Sequence, residues 1–284
     1  MKIIKNSCDG AYTSLDVRFT KVCDNDCSFC IEKTGIDSLG KPNVPTLIES
    51  TIKSQIRNVL VLGGEPFLYP NELYEYVSGI REHVDEIYIT SSLPISFLKK
   101  KELCDDIINK IDGLNISIQN VDWVKNNEIL RASSKTDRLS ILQMLNISHS
   151  DKIRTSINLV KGGIDNREEL MKTLKYLQGI GCKYVKINEL QGSDLYVSYE
   201  DIMCVKMKSP YAFGCNKHIT IDGVDMKLLL KRSCFITEDT KSASIMDVIK
   251  ILISKFIYTK LFKSKTIFRV LYENGSIKNK WLKK

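Results

Sequence analysis

Short apolar runs alternate with longer amphipathic stretches along residues 14–190. Runs of about four to eight residues rich in Val, Ile and Leu are typical of strands buried on both faces, whereas apolar residues three and four positions apart indicate helices. On this pattern we predict six strands, at residues 15–20, 58–62, 86–90, 114–118, 154–159 and 184–190. Helices are predicted between them, at residues 46–55, 72–84, 96–111, 135–146 and 167–180.

The order of these elements predicts the architecture. Strands that alternate with helices form parallel sheets, joined by right-handed crossovers. Five strand–helix units followed by a sixth strand predict an α/β fold, a partial parallel (β/α)6 barrel that is not closed. In parallel barrels the functional residues lie on the loops after the C-terminal ends of the strands. Those loops are therefore the first place to look for chemistry.

After residue 190 the alternation stops. We therefore divide the chain into a barrel core, residues 1–190, and a C-terminal extension, residues 191–284. The extension begins irregularly and then alternates over residues 219–230, with Asp222-Gly223 in the middle. Asp-Gly between alternating residues is a strong signal for a tight hairpin, so we predict a first hairpin there.

Two further elements are predicted near the end of the extension. Residues 243–262 combine a broad apolar face with lysines at its edges, which indicates a basic amphipathic helix. Residues 266–282 alternate around Asn274-Gly275, which predicts a second hairpin. Because an incomplete barrel leaves apolar surface to cover, we expect the helix to pack on the barrel. Binding to an anionic membrane surface is the alternative.

Composition narrows the class of protein. The chain has 284 residues, of which 43% are hydrophobic and 27% charged, as in ordinary folded proteins. Its 42 Lys and Arg against 34 Asp and Glu give a net charge of +8, spread along the chain. This excess suits an anionic substrate such as a nucleotide, or merely a solvated surface, and it is too mild for a nucleic-acid footprint. No nucleic acid is expected as a partner.

Cysteine usage points to a reducing compartment. Residues 1–9 lack the apolar region of a signal peptide, and no uninterrupted apolar stretch of about 18 residues occurs. We therefore expect a cytoplasmic protein without membrane contact. In that setting the nine cysteines are better explained as metal ligands or catalytic groups than as disulfides.

Three cysteines share one short loop after the first predicted strand. Cys23, Cys27 and Cys30 are spaced C-x3-C-x2-C. Iron–sulfur clusters prefer thiolate ligands, and three ligands on a four-iron cluster leave one iron open to a small molecule. A zinc site is the alternative, but it needs a fourth ligand, and no histidine lies near this loop in the sequence. The spacing therefore favours a cluster.

A glycine-rich turn follows the second predicted strand. Its sequence is Gly63-Gly64-Glu65-Pro66. Glycines allow a backbone to approach a ligand closely. We therefore expect Gly64→Val to weaken ligand binding while leaving the metal content unaltered.

The two motifs together resemble the signature pair of the radical S-adenosylmethionine (SAM) superfamily. Phe29, an aromatic residue before the last cysteine of the loop, belongs to the resemblance, which extends over residues 14–190. It implies the partial barrel, a [4Fe–4S] cluster on the three cysteines, and reductive cleavage of SAM to methionine and a 5′-deoxyadenosyl radical. The radical would abstract hydrogen from a small-molecule, nucleotide or peptide substrate. An electron donor such as flavodoxin or ferredoxin is implied as well.

The resemblance also implies which residues contact SAM. The methionine amine would be held by the backbone of residues 63–65, and backbone near Phe29 would contact the adenine. Ser91 follows the third strand, Ser117 lies on the fourth, and Ser156 or Asn158 on the fifth; each serine is either a ligand or a satisfied core residue. The implied cofactor-binding residues are Phe29, Gly63, Gly64, Glu65, Pro66, Ser91, Ser117 and Ser156.

Basic residues offer a candidate substrate site. Lys186 and Asn188 share one face of the sixth strand, so they hold substrate if that face is inside the barrel and are solvated if it is outside. Five further basic residues either bind an anionic substrate at the barrel mouth or form a solvated face: Arg154, Lys206, Lys208, Lys231 and Arg232.

A second set of cysteines lies in the extension. Cys204, Cys215 and Cys234 flank the first predicted hairpin, which resembles the auxiliary-cluster extensions of some superfamily members. They either hold a second [4Fe–4S] cluster, with Cys8, Cys182 or substrate as the fourth ligand, or are buried free thiols. Cys104 is predicted to be a core residue, as is Cys182 if it is not the fourth ligand.

Closer kinship and function stay open at this point. Short sequence matches around the two motifs, such as Phe19-Thr20 and Lys33-Thr34, resemble the corresponding segments of viperin-like members. The alternatives to a radical enzyme acting on its own substrate are an activase for a glycyl-radical enzyme and a non-enzymatic iron–sulfur redox sensor. The glycine turn favours an enzyme, since a sensor has no need to hold a cofactor.

Overall fold

A computed structural model describes residues 14–30, 40–190, 194–205, 216–231 and 268–278. Ten strands are found in them: β1 (Ser14–Thr20), β2 (Asn58–Gly63), β3 (Glu86–Ser91), β4 (Gly113–Ser117), β5 (Ile153–Leu159), β6 (Tyr184–Glu189), β7 (Asn216–Ile221), β8 (Val224–Lys231), β9 (Phe268–Leu271) and β10 (Ile277–Lys278). The helices are α1 (Val44–Ser54), α2 (Pro70–Ile80), α3 (Ile95–Lys99), α4 (Lys101–Lys110), α5 (Trp123–Leu130), α6 (Arg138–Ser148), α7 (Arg167–Gly179) and α8 (Tyr199–Met203).

All described strands belong to one open sheet in the order β10-β9-β1-β2-β3-β4-β5-β6-β8-β7. Strands β1 to β6 are neighbours in sequence order, and every pair among them is parallel. The predicted partial parallel barrel is therefore confirmed. Each of its six strands begins and ends within one residue of the prediction.

Both predicted hairpins are confirmed, and each extends the sheet at one edge. Strand β8 of the first hairpin pairs in parallel with β6, while β9 of the second pairs in parallel with β1. The turn glycines Gly223 and Gly275 have φ of 78° and 81°, a region that glycine enters without strain. The sheet thus continues across residue 190, and the division of the chain there stays a prediction.

Several helices differ from the predictions. The segment predicted at 96–111 is two helices, α3 and α4, which meet at Lys100. Helix α6 begins only at Arg138, because the Asp137 carboxylate accepts hydrogen bonds from the Leu139 and Ser140 amides and caps it there. Helix α8 was not predicted.

Helix α5 was also missed, and its burial pattern explains why. Trp123 and Val124 are 40% and 46% exposed, whereas Asn126 and Asn127 are buried. Hydrophobic periodicity cannot find a helix whose buried face is polar. Both asparagine side chains form hydrogen bonds with backbone groups. Asn126 accepts from the backbone amide of Gln119, and Asn127 donates to the backbone carbonyl of Thr136.

The hydrophobic core lies between the sheet and its helices. On β1, Leu15, Val17 and Phe19 are fully buried and belong to the same cluster as Leu47 of α1. The opposite face of the strands carries polar residues and forms the inner surface of the barrel, as the alternation of a strand requires. That inner surface and the loops above it hold the candidate site.

Some predictions fall outside the described residues. These are the helix at 243–262, residues Cys8, Lys206, Lys208, Cys215, Arg232 and Cys234, and the ends of the second hairpin. Within the described ranges, no helix combines the length and the apolar character that crossing a bilayer requires.

Candidate active site

The cysteine loop and the glycine turn meet at one cavity of about 360 Å³, at the C-terminal ends of the strands. Among the residues that the sequence predicts for the site, those lining the cavity are Cys23, Cys27, Phe29, Cys30, Gly63, Gly64, Glu65, Ser91 and Ser117. On β5, Asn158 rather than Ser156 lines it. The Ser156 hydroxyl instead accepts a hydrogen bond from the Asn188 side chain at 2.8 Å. Pro66 begins a short 3-10 helix beside the cavity.

The protein partly encloses the thiols of the loop: Cys23 is exposed, whereas Cys27 and Cys30 are half-buried. Desolvation raises the pKa of Cys23 to about 12 and that of Cys27 to about 11. The Cys23 sulfur accepts from the Asn25 amide at 3.4 Å, and the Cys27 thiol donates to the Leu130 carbonyl at 3.5 Å. Because metal ligation requires thiolates, loading this loop must release protons.

The cysteines are not arranged around a single point. Among the residues that the structure describes, no three His, Cys, Asp or Glu side chains converge closely enough to hold one metal ion. A structural zinc site needs four ligands within about 2.3 Å of one ion. An iron–sulfur cluster is larger, and its cysteines ligate different irons. Three cysteine sulfurs on one loop are a donor set that suits an iron–sulfur cluster.

The glycine turn packs directly on the cysteine loop. The Gly64 amide donates to the Thr20 carbonyl at 2.6 Å, and the Glu65 amide donates to the Val22 carbonyl at 2.8 Å. A Cβ atom on Gly64 would lie 2.0 Å from the Val22 carbonyl oxygen. Gly63 has φ of 123°, and its Cβ would lie 2.5 Å from the Thr20 carbonyl oxygen. Both glycines are thus required by the contact between motifs.

This contact overturns the expectation that Gly64→Val leaves the metal content unaltered. The reason offered from the sequence was a clash with a bound ligand, but the clash is with the backbone that carries the cysteines. We now expect even Gly64→Ala to lower both the iron content and SAM affinity, because residues 21–23 must move. Gly179→Ala is the control, since nothing lies within 4 Å of its added Cβ. Iron content equal in the two variants would contradict this prediction.

Glu65 connects the ends of two strands from a buried position. Its carboxylate is 1% exposed and accepts from the Ser91 hydroxyl at 2.8 Å and from the Ser92 amide and hydroxyl at 2.7 and 2.8 Å. Desolvation raises the pKa of Glu65 to about 6, although these hydrogen bonds lower it. The Ser91 hydroxyl also accepts from the Leu93 amide at 2.9 Å. The side chains of Glu65 and Ser91 therefore stabilise the cavity wall through hydrogen bonds within the protein.

A fully buried arginine forms hydrogen bonds with two residues of the cysteine loop. Arg138 is 0% exposed, and its guanidinium donates to the Asp24 carboxylate at 3.1 Å and to the Asn25 side-chain oxygen at 3.0 Å. It also donates to the Ser92 carbonyl at 2.7 Å and to the Asn127 side-chain oxygen. Burial raises the pKa of Asp24 although Arg138 lowers it. The sequence analysis missed this residue.

Gln119 is a second residue that the sequence analysis missed. It lines the cavity, is 1% exposed, and neither its Oε1 nor its Nε2 atom has a hydrogen-bond partner among the described residues. Buried polar groups are normally hydrogen-bonded, so an unpaired side-chain amide that lines a cavity is a candidate contact for a ligand. Its place immediately after the fourth predicted strand was the available signal.

Comparison with known proteins identifies the class. The profile of the Radical SAM superfamily matches residues 17–177, more than half of the chain. The chain therefore belongs to the Radical SAM superfamily, and the predicted family and the prediction of an enzyme are confirmed. The similarity to viperin-like members stays a prediction.

One curated relative is the GTP 3′,8-cyclase of Lactiplantibacillus plantarum. The chain is 24% identical to it over 184 residues, which cover 62% of the chain and 54% of the cyclase. The chain thus spans about half the length of this relative.

Solved structures share the fold at low identity. Streptococcus suis SuiB bound to the precursor peptide SuiA has a TM-score of 0.62 at 14% identity, covering 94% of this chain and 59% of SuiB. SuiB bound to S-adenosylmethionine has a TM-score of 0.59 at 15% identity, covering 94% of this chain and 60% of SuiB. Native anSMEcpe with bound AdoMet and the Cp18Cys peptide has a TM-score of 0.51 at 14% identity, covering 66% of this chain and 56% of anSMEcpe. At these identities the likeness shows the fold.

Proposed function

We propose that this protein is a radical SAM enzyme that holds a [4Fe–4S] cluster on Cys23, Cys27 and Cys30 and cleaves SAM reductively to begin hydrogen abstraction from a substrate. The observation that carries the proposal is that the three thiols and the glycine turn face one cavity. When bound, the reduced cluster supplies the electron that breaks the sulfonium bond of SAM. The protein supplies binding, orientation and protection from water.

The chain's own groups suit the methionine part of SAM. The amides of Gly64 and Glu65 are already bonded to the cysteine loop, and the Glu65 carbonyl accepts from the Leu68 amide. We therefore propose the carbonyl oxygens of Gly63 and Gly64 as the acceptors that this turn offers to a ligand. An ammonium group is a donor without acceptor capacity, so the methionine amine matches this wall of the cavity.

One experiment tests the activity. Anaerobically reconstituted protein is incubated with dithionite and SAM, and 5′-deoxyadenosine is measured. Formation of 5′-deoxyadenosine supports the enzyme, whereas a loaded cluster that changes redox state without cleaving SAM would favour the redox sensor.

Gln119 gives a prediction about cofactor binding. Leaving a ligand's polar group unpaired costs about 1–3 kcal/mol, so Gln119→Leu is expected to weaken SAM binding about 5- to 160-fold while iron content stays as in the wild type. Equilibrium binding of SAM to the loaded protein measures this. Gln143→Leu, at an exposed position of α6, is the matched control. Equal SAM affinity in both variants would remove Gln119 from the cofactor site.

The substrate class, electron donor and location stay proposals. The names of the relatives include a GTP cyclase and an enzyme bound to a precursor peptide, and we propose a nucleotide or peptide-like small substrate on that basis. Flavodoxin or ferredoxin is the proposed electron donor, and the cytoplasm the proposed location. A second cluster on Cys204, Cys215 and Cys234 is also a proposal; of these residues the structure describes Cys204, which is exposed.

A further inference from the structure

Three cations, Arg154, Lys186 and Lys231, lie on the strand face that also carries the cavity-lining Asn158. Strand register places Lys186 next to Ser156, and Asn188 next to both Asn158 and Lys231. Since Asn158 lines the cavity and Asn188 donates to it at 3.2 Å, this face of β6 points inward. The alternative of a solvated outer face for Lys186 and Asn188 is therefore wrong.

Arg154 is a buried guanidinium without an acidic partner. It is 9% exposed, and its central carbon lies 4.3 Å from the ring centroid of Tyr88 and 5.3 Å from that of Tyr184. One Nη atom donates to the Tyr88 hydroxyl at 2.8 Å. Across the described part of the chain, no carboxylate lies within 4.0 Å of it. The two aromatic rings fix the plane of the guanidinium and so orient its donors.

Lys186 is a half-buried ammonium group in the same region. No side chain or backbone group of the described ranges forms a hydrogen bond or ion pair with it. Its pKa is lowered to about 7, first by desolvation and then by Lys231, with a smaller contribution from Arg154; Asp16 acts in the opposite direction. The surroundings therefore disfavour its charge unless an anion is added.

The charges around Lys186 indicate what that anion is. Lys186 interacts electrostatically with two cations, the exposed Lys231 and the buried Arg154, and with one carboxylate, Asp16, so positive charge predominates around it. Desolvated cations are costly unless they are paired. A phosphate monoester carries about −1.5 to −2 charges near neutral pH, so it offsets more of this positive charge than a single carboxylate does. A planar, stacked guanidinium with a nearby lysine also suits phosphate geometry.

We propose that Arg154 and Lys186 form a subsite for a phosphate group of the substrate, with Lys231 on the side nearer the cavity. This inference rests on the proposed function, because it takes the inside of the barrel as the place where substrate meets the radical. Arg154 lies four residues before Asn158 on β5, about 13 Å along the strand. The phosphate thus binds deep in the barrel, and the reacting part of a phosphorylated small molecule extends from it toward the cavity.

Binding of inorganic phosphate tests the subsite directly. Calorimetric titration of the cluster-loaded protein with SAM present is expected to show one phosphate site, weakened at least about tenfold in both Lys186→Gln and Arg154→Gln. Lys183→Gln is the matched control: Lys183 is exposed, lies just before β6 and donates to Ser150, so phosphate affinity should equal the wild type. Unfolding midpoints of all variants are compared, and Lys186→Gln, at a half-buried position, keeps the test usable if Arg154→Gln folds poorly.

Two results would overturn the proposal. The first is phosphate affinity that is the same in Lys186→Gln as in Lys183→Gln. The second is tighter binding of acetate than of phosphate, which would indicate a carboxylate-bearing ligand instead. Formation of 5′-deoxyadenosine by the same wild-type preparation is measured separately. If it fails, the proposed function falls whatever the phosphate result; if it succeeds and phosphate binding is insensitive to Lys186, only the subsite is wrong.

Discussion

Replacing Cys23, Cys27 and Cys30 together by alanine is expected to reduce 5′-deoxyadenosine formation to the background of protein-free controls. The three thiols are the sulfur ligands that line the proposed SAM cavity, and a cluster that loses all its protein ligands is not retained. The loss should appear equally with dithionite and with a protein electron donor. The measurement is 5′-deoxyadenosine per protein under anaerobic reducing conditions.

A matched cysteine elsewhere controls this experiment. Cys104 of α4 is 0% exposed and belongs to the hydrophobic core, so Cys104→Ala should keep both iron and SAM cleavage. The triple variant should lose about four irons. Iron that remains would measure a second cluster on Cys204, Cys215 and Cys234. A triple variant that still makes 5′-deoxyadenosine would refute the assignment of the active site.

Arg138→Ala is expected to lower the free energy of unfolding substantially. Removing one partner of a buried ion pair costs about 3–5 kcal/mol, because the other charge is left uncompensated. Here the Asp24 carboxylate, 9% exposed, would lose its guanidinium, and its already raised pKa would rise further. Denaturant unfolding of the cluster-loaded variant, followed by circular dichroism, measures the change in the free energy of unfolding. The variant should also lose iron faster to a chelator, since Arg138 braces the cysteine loop.

Arg131 offers the control, because it lies near the same loop but is exposed. It is 61% exposed and 3.9 Å from Asp26, and pairs of this kind contribute less than about 1 kcal/mol. Arg131→Gln should therefore unfold almost as the wild type does and keep its iron. If both arginine variants are equally stable, the network around Arg138 does not hold the loop.

Local patterns predicted much of this protein because the determining interactions are local. The six barrel strands are apolar runs, so their existence and nearly their ends follow from residue type. The turns at Gly223 and Gly275 require positive φ, which Asp-Gly and Asn-Gly mark in any sequence. The cysteine spacing and the glycine turn identify the superfamily because few chemistries need such residues at strand ends. Short helices with polar buried faces, such as α5, gave no such signal.

The tertiary structure decided what lies opposite each residue. Arg138 stands at the start of an amphipathic helix, where an arginine is usually solvated, and only the packing of α6 against the cysteine loop encloses it. Gly64 has the same sequence context whether it approaches a ligand or the backbone at Val22. The alternation of β6 separates Lys186 from Ile187 but does not say which face is inside, because a strand's period is the same from either side. That choice is made where the sheet curves and its helices cover one face, which places Arg154 and Lys186 on the inner face of neighbouring strands.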